Sequence, residues 1–216
     1  MNKWRMCIIA CLVLPVSAWA EVNCRGGGGE EITLPASITA GPAVAPGTLL
    51  SSWTSAQTTE QFSCTWGFAS RGVARAALIN ASPMEPSGMY VAHPDDASIR
   101  VPVLQTPVEG IGVAVAALGA FVWTGNEKPK DRPLAPAADD THMGELPVSC
   151  GPPCVGAAII SVRPRVAFVR LPGDIDADVV NVSGPLTYSA TSGDNYVGPV
   201  REYVVSITGK TTIDAP

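Results

Sequence analysis

Few residues of this sequence combine the type and the spacing that chemistry needs. Cys150-Gly151-Pro152-Pro153-Cys154 holds two thiols close together. A redox pair needs a thiolate stabilised by a positive environment, such as the N-terminus of a following helix. Here three residues separate the sulfurs instead of two, and nothing after Cys154 reads as a helix, so the pair reads as a structural staple. Zinc wants four converging ligands, usually delivered as two close pairs. Cys24 and Cys64 stand alone, and neither a metal nor a cofactor is expected. His93 lies near Asp95 and Asp96, and His142 follows Asp139 and Asp140. Each would form half of a metal site if the loops converged; two solvated loop histidines are the simpler expectation. No Gly-x-Ser-x-Gly turn occurs to present a nucleophile. The carboxylate pairs Asp95-Asp96 and Asp139-Asp140 are adjacent, so on a strand they would point to opposite faces. The expectation is a protein that binds rather than an enzyme.

Sugar binding asks for an aromatic face against the apolar side of a pyranose, ringed by Asp, Asn or Gln. Three groups offer that mix on expected loops: Trp123 with Asn126, Tyr90 with Asp95, and Tyr196 with Asp194 and Asn195. Trp53 and Trp66 are expected to pack in the core. The run Gly26 to Gly29 lacks the Lys-Ser/Thr of a phosphate loop, and no apolar strand leads into it. It reads as a flexible N-terminal segment.

The elements that must position these residues are strands. Gly and Pro number 21 and 20 in 216 residues, which disfavours helix because Pro removes a donor and Gly loses the most entropy on ordering. A 46% apolar fraction disfavours disorder. The expected fold is all-β. Phe62, Cys64, Trp66 and Phe68 alternate with small or polar residues and mark one half-buried strand. Glu31 to Ile38, Thr48 to Thr54, Ile99 to Leu104, Ala157 to Arg170 and Arg201 to Ile207 repeat the pattern more weakly. Arg163-Pro164 should place its strand at an edge or a bulge. Ile111 to Trp123 reads as two buried strand pieces joined by a bend, because Gly112 and Gly119 interrupt it. Asn126 to Pro153 holds no periodic segment and reads as a large surface excursion, pinned by Cys150 and Cys154.

Residues 1–20 read as a secretory signal peptide: Lys3 and Arg5, then the apolar run Met6 to Leu14, then Ala18-Trp19-Ala20. That run is too short to span a bilayer, so no membrane insertion is expected. Removing the leader takes the formal charge from −5 to −7. So acidic a chain, without a basic cluster, has nothing to condense on a phosphate backbone, and nucleic acid is excluded as a partner. Four cysteines remain. Three pairings are open, and spacing favours Cys24–Cys64 with Cys150–Cys154. Closing the first loop contributes about 4 kcal/mol on the chain-entropy model.

Several segments, in order, resemble the N-terminal receptor-binding (lectin) domain of chaperone–usher fimbrial tip adhesins. They are Cys24, then Leu34-Pro35-Ala36-Ser37-Ile38, Ala45-Pro46-Gly47-Thr48-Leu49-Leu50 and Cys64. Val108-Glu109-Gly110-Ile111-Gly112-Val113 is the most specific match, and Arg165 to Leu171 with Gly184-Pro185-Leu186-Thr187 resembles the closing strands. The resemblance implies an elongated jelly-roll or immunoglobulin-like β-sandwich over residues 21–216, stapled by disulfides, that binds a host or cell-surface glycan or other receptor. It implies passage through the periplasm to a fimbrial tip. Periplasmic chaperone, usher and fimbrial subunits become partners if a pilin domain exists; this chain stops near where that domain would begin. A polymerising pilin lends its neighbour an N-terminal strand. Cys24 is only the fourth residue after the leader and glycines follow it, so the expectation is a subunit that ends a fibre. The alternative is a non-adhesive structural subunit or tip adaptor.

Overall fold

The computed structural model describes residues 23–26, 28–55, 62–66, 73–79, 84–123, 130–134, 146–149, 156–175, 177–191 and 201–214. Within them the chain forms β1 (Asn23–Gly26), β2 (Gly28–Thr33), β3 (Ser37–Thr39), β4 (Thr54–Ser55), β5 (Phe62–Trp66), β6 (Val73–Ile79) and β7 (Pro86–Ala92). It continues with β8 (Arg100–Gln105), β9 (Ile111–Trp123), β10 (Lys130–Leu134), β11 (Leu146–Ser149), β12 (Gly156–Arg170), β13 (Val179–Thr191) and β14 (Arg201–Asp214). The first sheet runs β1-β5-β12-β9-β8-β7, with β10 also on β9 and β4 also on β12. The second runs β11-β6-β13-β14-β2, with β3 also on β14. All pairings are antiparallel except those of β2 and β3 with β14, which are parallel. The fold is an all-β sandwich, and no helix among the described residues is long and apolar enough to cross a membrane.

Period-two alternation builds the core. Phe62 and Cys64 face inward from β5 while Ser63 and Thr65 face solvent. Phe168, Ile160 and Phe62 of the first sheet pack with Ile32, Val182 and Ile207 of the second. β9 is buried on both faces: Ile111, Val113, Val115 and Ala117 join this core. Ala114 and Ala116 join a second cluster with Val101, Val103 and Val169 on the outer face. A strand covered on both sides reads as an unbroken apolar run.

That run contains no bend, contrary to expectation. β9 pairs with β12 from Ile111 opposite Arg170 to Trp123 opposite Ala158. Its 13 residues span roughly 40 Å at about 3.3 Å each, which makes the sandwich elongated. Gly112 answers a close approach instead: a Cβ there would stand 2.6 Å from Val103 Cγ1 and 3.0 Å from the Leu104 carbonyl.

Three other expectations change. The N-terminal glycines are paired, with Gly26 opposite Phe62 and Gly28 opposite Tyr203, and the chain crosses between sheets there. Gly26, at φ 129°, adopts the backbone that such a crossing needs. The stretch Asn126 to Pro153 contains β10 and β11, whose short segments gain order from β9 and β6 rather than from their own periodicity. Pro164 lies within a central strand, opposite Ala117, at the point where the other side of β12 passes from β5 to β4. Pairing changes hands there, and a missing donor is tolerated.

Cys24 and Cys64 are opposite one another in the β1–β5 ladder, with Cα atoms 4.0 Å apart, and form a disulfide. Cys150 and Cys154 lie outside the described residues.

Candidate functional site

Tyr90 and Asp95 do not come together. Val91 faces the outer cluster, so alternation turns Tyr90 to the opposite face of β7. There the Arg100 guanidinium lies 4.6 Å from its ring centroid. Asp95 instead reaches Arg165, at 2.9 Å, whose neighbours Ala167 and Val169 lie on the outer side of β12. His93 is not a solvated histidine: it is 2% exposed. Its Nε2 lies 3.0 Å from the Ala117 carbonyl, and its Nδ1 accepts the Asp95 N–H at 3.1 Å. With Nδ1 accepting, the Nε2 hydrogen faces the Ala117 carbonyl. The histidine holds the loop after β7 against β9, where main-chain partners of residues distant in sequence supply what the sequence alone did not show. In the same loop Asp96 accepts the Ser98 hydroxyl at 2.6 Å and the Ser98 N–H at 3.0 Å. The two hydrogen bonds, the hydroxyl first, hold its carboxyl below the ordinary carboxylate range.

Trp123 closes the core at one end of the sandwich, half-buried and edge-on to Phe121 with centroids 6.5 Å apart. Trp66 opposite Gly156 marks that end of the first sheet. The step from Gly26 to Gly28 puts Thr191 and Arg201, the ends of β13 and β14, at the same end of the second sheet. Asn126, Asp194, Asn195, Tyr196 and His142 lie outside the described residues. Trp53 packs half-buried on the outer cluster. The Trp66 side chain is outside the described residues.

The opposite end carries a concave polar surface that motif reading did not find. Two turns meet there, Val108–Gly110 before β9 and Leu171–Gly173 after β12. Gly110 has φ 76° and Gly173 φ 110°, so both need glycine. Arg170, 6% exposed, ties the turns together. Its Nη1 donates to the carbonyls of Gly110, at 3.0 Å, and Leu171, and its Nη2 donates to Gly173 at 2.8 Å. The Leu171 N–H also donates to Gly110 O at 2.8 Å. Among the described residues no carboxylate pairs with this arginine, and its Nε has no partner. A buried cation held only by carbonyls is an expensive arrangement, and here it makes two turns into one rigid wall.

Against that wall lies a cavity of about 220 Å³. A second, of about 330 Å³, adjoins it across Gln105 and Thr106 and is bounded by Met84, Glu85 and Asn181 to Ser183 of β13. The Thr106 hydroxyl is used internally, 2.8 Å from the Ile111 carbonyl. The side chains of Glu85, Gln105, Glu109, Asn181 and Ser183 stay exposed. Among the described residues the lining includes two carboxylates and no Lys, Arg or His. Among the described residues no group of three or more His, Cys, Asp or Glu is placed to hold a metal ion. The signals for this site were Gly110, Gly112 and Leu171-Pro172-Gly173, which sequence reading took as motif and turn chemistry only.

No family model matches the chain, and no curated protein matches it. One solved structure with similarity is the CupB6 tip adhesin from Pseudomonas aeruginosa. The TM-score is 0.34 and the identity 12%, over 88% of this chain and 43% of that one. The chain thus spans less than half the length of that structure, and a likeness of this size identifies neither family nor function.

Proposed function

We propose that the chain is an exported receptor-binding domain of the fimbrial tip-adhesin type, which binds a surface glycan or other receptor without chemistry. Residues 1–20 are the leader removed on export through the periplasm, and the mature domain acts at a fimbrial tip. Chaperone, usher and fimbrial subunits are its partners where a pilin domain accompanies it. The observation that carries this reading is the use made of residues 23–39. β1 pairs with β5, and β2 and β3 pair with the last strand β14. A strand already paired within its own sandwich is not available to complete a neighbour's sheet, which favours a terminal unit over a polymerising one. Two features of the resemblance also have structural work here: Cys24–Cys64 fastens the edge strand, and Val108 to Gly112 forms the Arg170-clamped turn.

The test is adhesion of purified residues 21–216 to cultured cells and to a glycan array. Retention on a receptor-bearing surface, competed by soluble receptor, is the expected result. Flat binding everywhere, with stable co-purification only alongside fimbrial subunits or a periplasmic chaperone, would turn the assignment to a structural subunit or adaptor.

A further inference from the structure

We infer that His93 is a proton-operated latch: one proton on its Nδ1 releases the loop of residues 93–99 from the first sheet. The loop is closed on itself. The His93 N–H donates to Ile99 O at 2.9 Å and the Ile99 N–H to Asp96 O at 3.0 Å, while Ser98 binds the Asp96 carboxylate. Among the described residues, two polar attachments tie this closed loop to the sandwich. One is the His93 ring on the Ala117 carbonyl of β9, the other the Asp95 carboxylate on Arg165 of β12. The ring is the attachment that a proton can change. Its side chain is 0% exposed. In the neutral form both nitrogens are used, Nε2–H toward Ala117 O and Nδ1 as acceptor of the Asp95 N–H. A proton from solvent leaves the first bond intact, so the ring stays anchored on β9. It turns Nδ1 into a donor facing another donor 3.1 Å away. The imidazolium is then a buried charge, which is costly without a counter-ion. The Asp95 carboxylate is at hand, with Oδ2 3.8 Å from Nδ1. To accept the new hydrogen it must turn toward the ring. That turn pulls its other oxygen from the 2.9 Å contact with Arg165 and swings the Asp95 N–H away. The latch trades a main-chain hydrogen bond for an ion pair, and the loop follows. The charges around the ring favour the trade. Its own loop supplies Asp95 and Asp96, and β12 supplies Arg165, with Arg163 farther along opposite Leu118. β9 presents main chain, and Arg100 of β8 lies against Tyr90 on the opposite face. β10 pairs Leu134 with Ala117 and brings the exposed Asp131 opposite Ala120; the side chains of Lys130 and Arg132 lie outside the described residues.

The test is NMR of isotope-labelled residues 21–216, titrated from about pH 7.5 to about pH 4.5, where histidine side chains exchange protons. His93 and His142 are the histidines of the sequence, so His142→Gln leaves the His93 ring signals alone in the spectrum. At neutral pH those signals should show a hydrogen on Nε2 and none on Nδ1; in acid both nitrogens should carry one. As the ring charges, the Asp95 amide signal should move with it. Hydrogen exchange at that amide, corrected for its intrinsic dependence on pH, should quicken at least tenfold. The amides of Ile32 and Ile207, both buried in the core, should stay protected, which separates release of the loop from unfolding. His93→Gln donates and accepts at every pH, so in that variant Asp95 should stay protected throughout. The latch is overturned by a hydrogen on Nδ1 at neutral pH, by a ring still neutral at the acid limit, or by a charged ring beside a protected Asp95. Acid release of Asp95 that persists in His93→Gln overturns it as well. If that variant does not fold, the ring and amide measurements on the His142→Gln protein decide.

Discussion

Gly110 shows how much one missing side chain decides. Its φ of 76° is left-handed, and a Cβ would stand 2.5 Å from Arg170 Nη1. Gly88 has nearly the same φ, 77°, but nothing within 4 Å of its would-be Cβ. Gly88→Ala should therefore cost only the backbone term, about 1 kcal/mol. Gly110→Ala should cost about 3 kcal/mol, because the guanidinium must also leave its carbonyls. Urea midpoints of the two variants check this, and equal losses would refute the clamp. Asp96 gives the pH counterpart. Hydrogen bonds from Ser98 lower its folded-state pKa, so the folded protein binds this proton less readily than the unfolded chain. The stabilisation is present above the ordinary carboxylate pKa and disappears as pH falls through the lowered one. Ser98→Ala removes the hydroxyl partner and keeps the N–H, so by NMR the Asp96 carboxyl should titrate higher than in the parent but still below the ordinary value, and the stability gap between variant and parent should close in acid.

Strands explain which features could be read in advance. Where one face is wet and the other buried, as in β5, alternation is visible, and Phe62 and Cys64 face inward as expected, while the Trp66 side chain and Phe68 lie outside the described residues. β9 carries no alternation because both faces are covered, and its glycines suggested a bend. Whether Gly112 marks a bend or a close contact depends on Val103 and Leu171, and proximity in space is not written locally. β10 and β11 escaped notice for the same reason, since short strands take their order from a partner. Of the candidate binding residues, Tyr90 and Asp95 are five positions apart in sequence but lie on opposite faces. The groove draws on β7, β8, β9 and β13 and on the turn after β12, and left only its glycines as a trace. The sheet core gives a direct check at this scale. Phe168 is 0% exposed and Leu49 40%, although Leu49 bridges to Val169 beside it. Phe168→Ala should cost about 3–5 kcal/mol and Leu49→Ala under about 1 kcal/mol, measured by thermal or denaturant unfolding.

The whole molecule is an elongated sandwich whose first strands are consumed by its own sheets and whose Arg170 end presents a groove bordered by Glu85 and Glu109. Its formal charge of −5 sets it against anionic surfaces. Binding through specific hydrogen bonds should therefore survive physiological salt, where screening acts over about 8 Å. The most direct measurement is retention of residues 21–216 on immobilised glycans and on receptor-bearing cells at physiological salt. The account predicts saturable retention on at least one of these surfaces, released by the free receptor or sugar. Retention on none of them, by a protein whose melting transition shows it folded, would contradict it.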